Sequence, residues 1–233
     1  MKSGIKENKP SFFEKLIRLI YPVKCMVCDT ILSEDAALYI CDPCKKSLPR
    51  YKGKIVKNMS LPYLDGIFAA FYYQDGIETA IHNMKFKNHP KLAKTIGILL
   101  CEELIKQETL PDIDYIVPIP MHPKKKRQRG YNQSELLARQ AAQFLQKEVR
   151  TDILIKTKNT KSQSLLKREE RLINLESAFE VNDDIAINNT YKKSILLVDD
   201  VLTTGTTINT CAKILKEDGF SFVYALVTAI AEK

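Results

Sequence analysis

The segment from Ile195 to Thr207 limits the fold of this chain more than any other. It reads ILLVDDVLTTGTT: an apolar run, the acid pair Asp199-Asp200, a short apolar step and a threonine-rich turn around Gly205. Four consecutive apolar residues predict a buried strand, and Gly205 permits a tight turn into the helix that the next residues predict. A strand that carries carboxylates at its carboxyl end and continues into a helix is typical of open α/β sheets, which bind ligands at that edge.

The same residues suit the two ends of a ribose 5-phosphate. Backbone N–H groups and hydroxyls around a helix N-terminus hold a phosphate dianion, and paired carboxylates accept hydrogen bonds from a vicinal diol. The expected phosphate-binding residues are Thr203, Thr204, Gly205, Thr206 and Thr207. An acidic turn or an ordinary helix cap would explain either pair alone, but the combination favours a ribose-phosphate site.

Strands and helices alternate from about residue 65 onward. Strands are predicted at 67–73, 114–120, 153–155, 193–198 and 220–228, and helices at 76–86, 90–107, 132–148, 164–173 and 206–218. Helical crossovers between strands predict a mostly parallel sheet with helices on both faces. At 233 residues the chain is long enough for one such α/β domain and a small additional module.

Four of the six cysteines lie close together in the sequence. Two Cys-x2-Cys pairs are separated by 12 residues and supply Cys25, Cys28, Cys41 and Cys44. Four thiolates complete the tetrahedral shell of a structural zinc ion, which would stabilise a module that has little core of its own. Reduced cysteines without metal and a redox pair are the alternatives. Cys101 and Cys211 lie in helical patterns and are expected in the core.

The N-terminal part predicts a short amphipathic helix at 11–20, with Ser11 and Glu14 as a capping box. We expect its apolar side to pack against the following domain; a partner surface and a membrane-surface contact are the alternatives. Polar residues at 49–62 predict a linker, so the expected division is a helix and zinc module at 11–50 and an α/β domain at 63–233. The sequence shows neither a secretory signal nor an apolar run near the roughly 20 residues that cross a bilayer, so a cytoplasmic location is expected.

The positive charge is concentrated in one part of the chain. The formal net charge is +8, and the stretch from Pro118 to Arg171 alone holds 14 Lys or Arg against 5 Asp or Glu, a local net of +9. Such a field indicates a polyanion, either nucleic acid or a phosphate-rich ligand, although a solvated face would account for charge alone. The densest run is Lys124, Lys125, Lys126, Arg127 and Arg129. Tyr131 beside it is a candidate for stacking on a base, although a single tyrosine is more often a packing residue.

Two resemblances follow from these motifs. The segment at 195–207 resembles the phosphoribosyl-pyrophosphate (PRPP) motif of the type I phosphoribosyltransferases. Other segments resemble the ComF family, whose members carry an N-terminal Cys₄ zinc module: VPIPMHP at 117–123, RGYNQSELLAR at 129–139, and Thr160, Gln163, Leu166, Arg171, Asn174, Ala178 and Phe179. The resemblance extends from about residue 12 to residue 231.

The resemblance implies roles for individual residues. Asp199 and Asp200 would bind the ribose hydroxyls, residues 203–207 the 5′-phosphate, and Mg²⁺ would accompany the pyrophosphate. A pyrophosphate loop would follow an earlier strand, with His122 and the basic run as candidate contacts, and the lysine-rich stretch 156–171 would form a lid. Many relatives have Gly-Asp after a Lys-aromatic pair, where this chain has Asn88-His89. The role of that turn is therefore open, and Lys85 is a candidate phosphate contact.

The resemblance also implies a function in handling incoming single-stranded DNA during natural competence. Such a protein would act in the cytoplasm, peripheral to the inner membrane, together with the competence machinery. An active phosphoribosyltransferase of small-molecule metabolism and a PRPP sensor without turnover are the alternatives. The sequence shows no general base and no element that would recognise an acceptor base, so enzymatic turnover, the catalytic residues and the acceptor stay open.

Overall fold

The computed structural model describes residues 10–52, 61–86, 90–107, 110–158, 178–182 and 193–231. The predicted helix at 164–173, most of the expected lid, the turn at 87–89 and the middle of the predicted linker lie outside the described residues.

Five parallel strands form the central sheet. They are β1 (Gly66–Tyr72), β2 (Tyr115–Pro118), β3 (Glu148–Val149), β6 (Ser194–Leu202) and β7 (Phe222–Ile230), in the order β1-β7-β6-β2-β3. A separate antiparallel pair consists of β4 (Leu154–Lys156) and β5 (Phe179–Val181). The inner strands are apolar over most of their length because both of their faces are covered. The predicted parallel α/β fold is confirmed.

Helices pack on both faces of the sheet. One face carries α3 (Asp75–Phe86), α4 (Pro90–Leu104) and α6 (Gln133–Leu145), and the other carries α7 (Thr206–Glu217) with the β4–β5 pair. Alternate residues of β6 enter the two cores: Leu196 lies in the first and Ile195 in the second. The helices α4 and α6 approach closely at Gly97, where a Cβ atom would lie 2.6 Å from Cγ of Gln140.

The N-terminal module packs against α3 and α4. It contains the helices α1 (Phe12–Ile20) and α2 (Asp42–Ser47) with the cysteine turns between and around them. Met26 and Tyr39 are buried in the same core as α3 and α4. The backbone N–H of Tyr39 donates to Thr95 Oγ1 at 3.0 Å, and Asn83 Nδ2 donates to the carbonyl oxygen of Met26 at 2.8 Å. The module therefore shares a core with the sheet, and the expected domain boundaries stay a prediction.

The helix α1 has the predicted capping box but does not pack as expected. Its charged side faces the protein: Glu14 pairs with Lys91 at 2.5 Å, and Arg18 donates to the carbonyl oxygens of Glu34 and Ala36, both at 2.8 Å. Its apolar side chains are 54 to 76% exposed, namely Phe12, Phe13, Leu16, Ile17, Leu19 and Ile20. The expectation that this apolar side packs against the following domain is therefore wrong, because polar contacts orient the helix.

Local differences from the predicted elements have specific causes. The strand β6 continues past the predicted end at Val198 because it pairs with β7 as far as Leu202. At the start of α6, Asn132 caps the N–H of Ser134 at 3.2 Å, but the carboxylate of Glu135 binds Lys126 and Arg139 rather than closing a capping box. The short helices α2 and α5 (Pro123–Arg129) were not predicted.

Within the described ranges, no helix combines the length and apolar character needed to cross a membrane.

Candidate functional site

The acid pair lies where β6, α3 and α6 meet. Asp199 Oδ1 accepts hydrogen bonds from Ser134 Oγ of α6 and from the backbone N–H of Asp200, both at 2.9 Å. Asp200 Oδ1 pairs with Lys85 Nζ of α3 at 2.9 Å. The structure thus places Lys85 beside the acid pair. The sequence had suggested Lys85 as a candidate phosphate contact instead.

The environment of Asp199 disfavours its negative charge. Burial and the neighbouring carboxylate of Asp200 raise the pKa of Asp199 to about 7, although the hydrogen bonds from Asp200 and Ser134 and the charge of Lys85 act in the opposite direction. At neutral pH the pair therefore carries less than two full negative charges. An approaching cation would favour full ionisation, so the pair is suited to a ligand that arrives with a metal ion.

The threonine-rich turn follows directly and leads into α7. Gly205 has a φ of 74° and is the N-cap residue of this helix. Thr204 Oγ1 and Thr206 Oγ1 are 2.8 Å apart, and the N–H of Thr206 lies 3.4 Å from Thr204 Oγ1. N–H groups at a helix start with hydroxyls beside them are suited to an anion. The expected phosphate-binding residues Thr203, Thr204, Gly205, Thr206 and Thr207 are therefore contiguous with the acid pair, and their binding of phosphate stays a prediction.

A cavity of about 610 Å³ lies at the carboxyl end of β2. This edge adjoins the acid pair, since Pro118 of β2 is in register with Val198 of β6. The cavity wall combines prolines and apolar side chains with three cations, Lys126, Arg127 and Lys156. Lys126 also pairs with Glu135 at 2.9 Å. The cavity is therefore suited to an anionic group bound beside the ribose site.

Lys156 lines this cavity, and the sequence did not single it out as a site residue. It is the last residue of β4, and its Nζ lies 4.5 Å from the centroid of the Phe179 ring. Burial and the charge of Lys125 lower the pKa of Lys156, while the charge of Asp199 opposes this shift. The ammonium group of Lys156 therefore feels both the positive charge of the basic helix and the negative charge of the acid pair. The sequence had marked Lys156 only as the start of the expected lid, although its place directly after an apolar strand was a usable signal.

The basic run forms the exposed helix α5. His122 caps it, since its Nδ1 accepts a hydrogen bond from the N–H of Lys124 at 3.2 Å. The side chains of Lys124, Lys125, Lys126 and Arg127 are all exposed. The position of His122 and the basic run after β2 agrees with the expected loop, but their contact with pyrophosphate or DNA stays a prediction.

Tyr131 does not stack in solvent as one interpretation of the sequence suggested. Its side chain is buried, and its hydroxyl donates to the carbonyl oxygen of Met84 in α3. The exposed aromatic residue of this region is Phe86, at the end of the same helix, and the guanidinium carbon of Arg129 lies 5.5 Å from the centroid of its ring. Tyr131 is therefore a packing residue, and the stacking interpretation is wrong because the hydroxyl bonds a buried acceptor.

The four predicted zinc ligands converge in the N-terminal module. The sulfur atoms of Cys25, Cys28, Cys41 and Cys44 all lie within 4.8 Å of one another. The distance from Cys28 Sγ to Cys41 Sγ is 3.7 Å, close to the roughly 3.8 Å edge of a tetrahedron with Zn–S bonds of about 2.3 Å. A hydrogen bond with Thr30 lowers the pKa of Cys28 to about 6, which favours a thiolate there, whereas burial and the neighbouring thiols raise the pKa of Cys44. The cluster fits a structural zinc ion, whereas Cys101 and Cys211 are buried in the core as expected.

Comparison with known proteins agrees with this geometry. The phosphoribosyl transferase domain family matches residues 131–231. Competence protein F of Haemophilus influenzae is 29% identical over 161 residues, 68% of this chain and 69% of that protein. Competence protein ComFC of Streptococcus pneumoniae is 33% identical over 151 residues, 65% of this chain and 62% of that protein. DNA utilization protein YhgH of Escherichia coli K12 is 27% identical over 154 residues, 65% of this chain and 66% of that protein.

A solved structure shows a weaker likeness. The glutamine PRPP amidotransferase of B. subtilis aligns with 63% of this chain and 30% of that chain, at 16% identity and a TM-score of 0.41.

The parallel sheet, the acid pair before a Gly-turn and the matching domain family define a class. The chain is a type I phosphoribosyltransferase-like α/β protein with an N-terminal Cys₄ module. The competence proteins among its relatives agree with the resemblance to the ComF family that the sequence motifs predicted.

Proposed function

We propose that the protein binds PRPP with Mg²⁺ at the carboxyl edge of its sheet and acts in the handling of incoming single-stranded DNA during natural competence. The observation that carries the PRPP part is the acid pair of β6, followed within a few residues by the Gly205 turn and the N-terminus of α7. The names of the relatives, which refer to competence and to DNA utilization, support the DNA part.

In this proposal each part of PRPP has its own contacts. Asp199 and Asp200 accept hydrogen bonds from the ribose hydroxyls, and residues 203–207 donate to the 5′-phosphate. The pyrophosphate extends toward the cations of the neighbouring cavity, Lys126, Arg127 and Lys156. Mg²⁺ supplies the charge that makes pyrophosphate compatible with nearby carboxylates. Lys85 acts on the acid pair itself, since it already neutralises Asp200.

The basic helix α5 provides the proposed DNA contact. Four exposed cations in consecutive positions match the charge of a nucleic-acid backbone, and such binding weakens steeply with rising salt concentration. We place the protein in the cytoplasm with a peripheral contact at the inner membrane, near the competence machinery. The exposed apolar side of α1 supports a contact of this kind.

A second candidate function is phosphoribosyl transfer to a small acceptor. In that reaction the acceptor forms a bond to C1 of the ribose while the bond from C1 to pyrophosphate breaks. The cavity of about 610 Å³ beside the acid pair favours this alternative because its cations Lys126, Arg127 and Lys156 suit the departing pyrophosphate. Release of pyrophosphate in the presence of candidate acceptors distinguishes transfer from PRPP sensing without turnover.

The test of the PRPP site is calorimetric titration of PRPP with Mg²⁺ into the zinc-loaded protein. We expect saturable binding that disappears in the double variant Asp199→Ala/Asp200→Ala. The matched control is Asp112→Ala/Glu148→Ala, which removes the same charge from two exposed side chains and should bind like the wild type. An absence of PRPP binding in the wild type would overturn the proposed site.

A further inference from the structure

Phe86 occupies an unusual position for a phenylalanine. It is the last residue of α3, and its side chain is 66% exposed. Its ring is flanked by the imidazole of His82, at 4.6 Å between ring centroids, and by the guanidinium carbon of Arg129, at 5.5 Å from its centroid. The exposed part of this ring is apolar surface in contact with water, so it can be covered favourably by another flat group.

The surroundings hold this ring in a rigid frame. Tyr131, two residues after the last residue of α5, donates a buried hydrogen bond to the carbonyl oxygen of Met84, which ties the end of α5 to the end of α3. Lys85, next to Phe86 in the chain, pairs with Asp200 of β6. We call Phe86 with His82 and Arg129 the platform. It therefore lies beside the candidate PRPP site, and the helices α3 and α5 fix it there.

Charge beside the ring favours a polyanionic strand as the source of the flat group. Arg129 ends α5, whose exposed side chains include Lys124 and Arg127. Neither of these two forms an ion pair with any other residue in the described part of the chain. Single-stranded nucleic acid supplies what both features need, because its bases are free to stack on aromatic side chains while its phosphates contact lysine and arginine.

We propose that Phe86, flanked by His82 and Arg129, stacks with a base of single-stranded DNA whose adjacent phosphates contact α5. This inference rests on the proposed DNA function and assigns to it a base-binding position. It requires no sequence preference, since every base has a face that can stack.

The first test measures binding of fluorescein-labelled oligo-dT by fluorescence anisotropy. We expect Phe86→Ala to weaken binding about tenfold, the loss typical of one stacked base. The same variant should bind an abasic oligomer of equal length like the wild type and should keep its PRPP affinity. The matched control is Phe222→Ala. Phe222 is 51% exposed and also has a lysine, Lys216, near its ring. It lies at the amino-terminal end of β7, whereas the acid pair lies toward the carboxyl ends of the strands.

The second test is a direct signal of stacking. The chain contains no tryptophan, so Phe86→Trp introduces a single fluorescent reporter at the proposed position. Oligo-dT should quench its emission, the abasic oligomer should not, and Phe222→Trp should respond to neither. Equal quenching by free dTMP at the same concentration would assign the ring to a mononucleotide and overturn the strand assignment.

The outcomes separate this inference from the proposed function. Wild-type binding of oligo-dT that is unchanged in Phe86→Ala and gives no quenching in Phe86→Trp would overturn the platform and leave DNA binding in place. If the wild type bound no single-stranded DNA, both the platform and the DNA function would fail, while the calorimetric result for PRPP would stand.

Discussion

The carboxyl group of Asp199 offers a quantitative test of how the candidate site is built. Burial and Asp200 raise its pKa from an ordinary value of 3.8 to about 7. Since the folded protein holds this proton more tightly than the unfolded chain, the contribution of Asp199 to folding stability is greatest at low pH and is lost as the pH rises from about 4 through about 7. A pKa difference of about three units corresponds to about 4 kcal/mol over the whole titration.

The variant Asp199→Asn removes the ionisation and keeps the contacts. Both hydrogen bonds to Asp199, from Ser134 and from the N–H of Asp200, end on Oδ1, which asparagine retains. We therefore expect the stability of Asp199→Asn relative to the wild type to increase by about 2 kcal/mol between about pH 5.5 and about pH 8.5. Urea unfolding of both proteins at the two pH values, followed by circular dichroism, measures this difference.

The control is Asp114→Asn. Burial of Asp114 opposes its ionisation, but hydrogen bonds from Lys193 and Ser194 outweigh that effect and lower the pKa of this carboxyl group. Its titration therefore lies below the measured range, and this variant should lose the same stability at both pH values. If the difference in unfolding free energy between Asp199→Asn and the wild type were also independent of pH, the account of the acid pair would be refuted. The pKa of Asp199 would then not be raised in the folded protein.

Two further predictions concern the metal centre and the phosphate turn. Cys25→Ser should lose its zinc and melt at a lower temperature, because the four-thiolate shell is broken. Mass spectrometry of the native protein measures the zinc content, and the control Cys101→Ser should keep its zinc. A zinc-free wild type would contradict the assignment. Gly205→Ala should lower the free energy of unfolding by about 1 to 3 kcal/mol and weaken PRPP binding, because its φ is 74° and a Cβ atom would lie 2.7 Å from Leu61. A loss below about 0.5 kcal/mol in urea unfolding would contradict this strain.

Much of the site could be predicted because its elements are local in the sequence. The acid pair, the Gly205 turn and the start of α7 occupy one continuous segment, so strand, turn and helix patterns were enough to place them. The spacing of the cysteines likewise encodes two tight turns, and the structure brings their sulfur atoms together. The parallel sheet followed from the alternation of apolar strands with helical crossovers.

The sequence by itself determined these elements, their order and the residue types that face the ligand edge. Only the tertiary structure decided which side chains from other elements complete the site. Ser134 reaches Asp199 across 65 residues, and Tyr131 reaches Met84 across 47, so neither contact leaves a local pattern. The outward orientation of the apolar side of α1 likewise leaves no local pattern. Contacts of its charged side chains with Lys91 and with backbone carbonyl oxygens decide this orientation. Periodicity reports which face of an element is apolar, but the packing of helices on the sheet decides what that face meets.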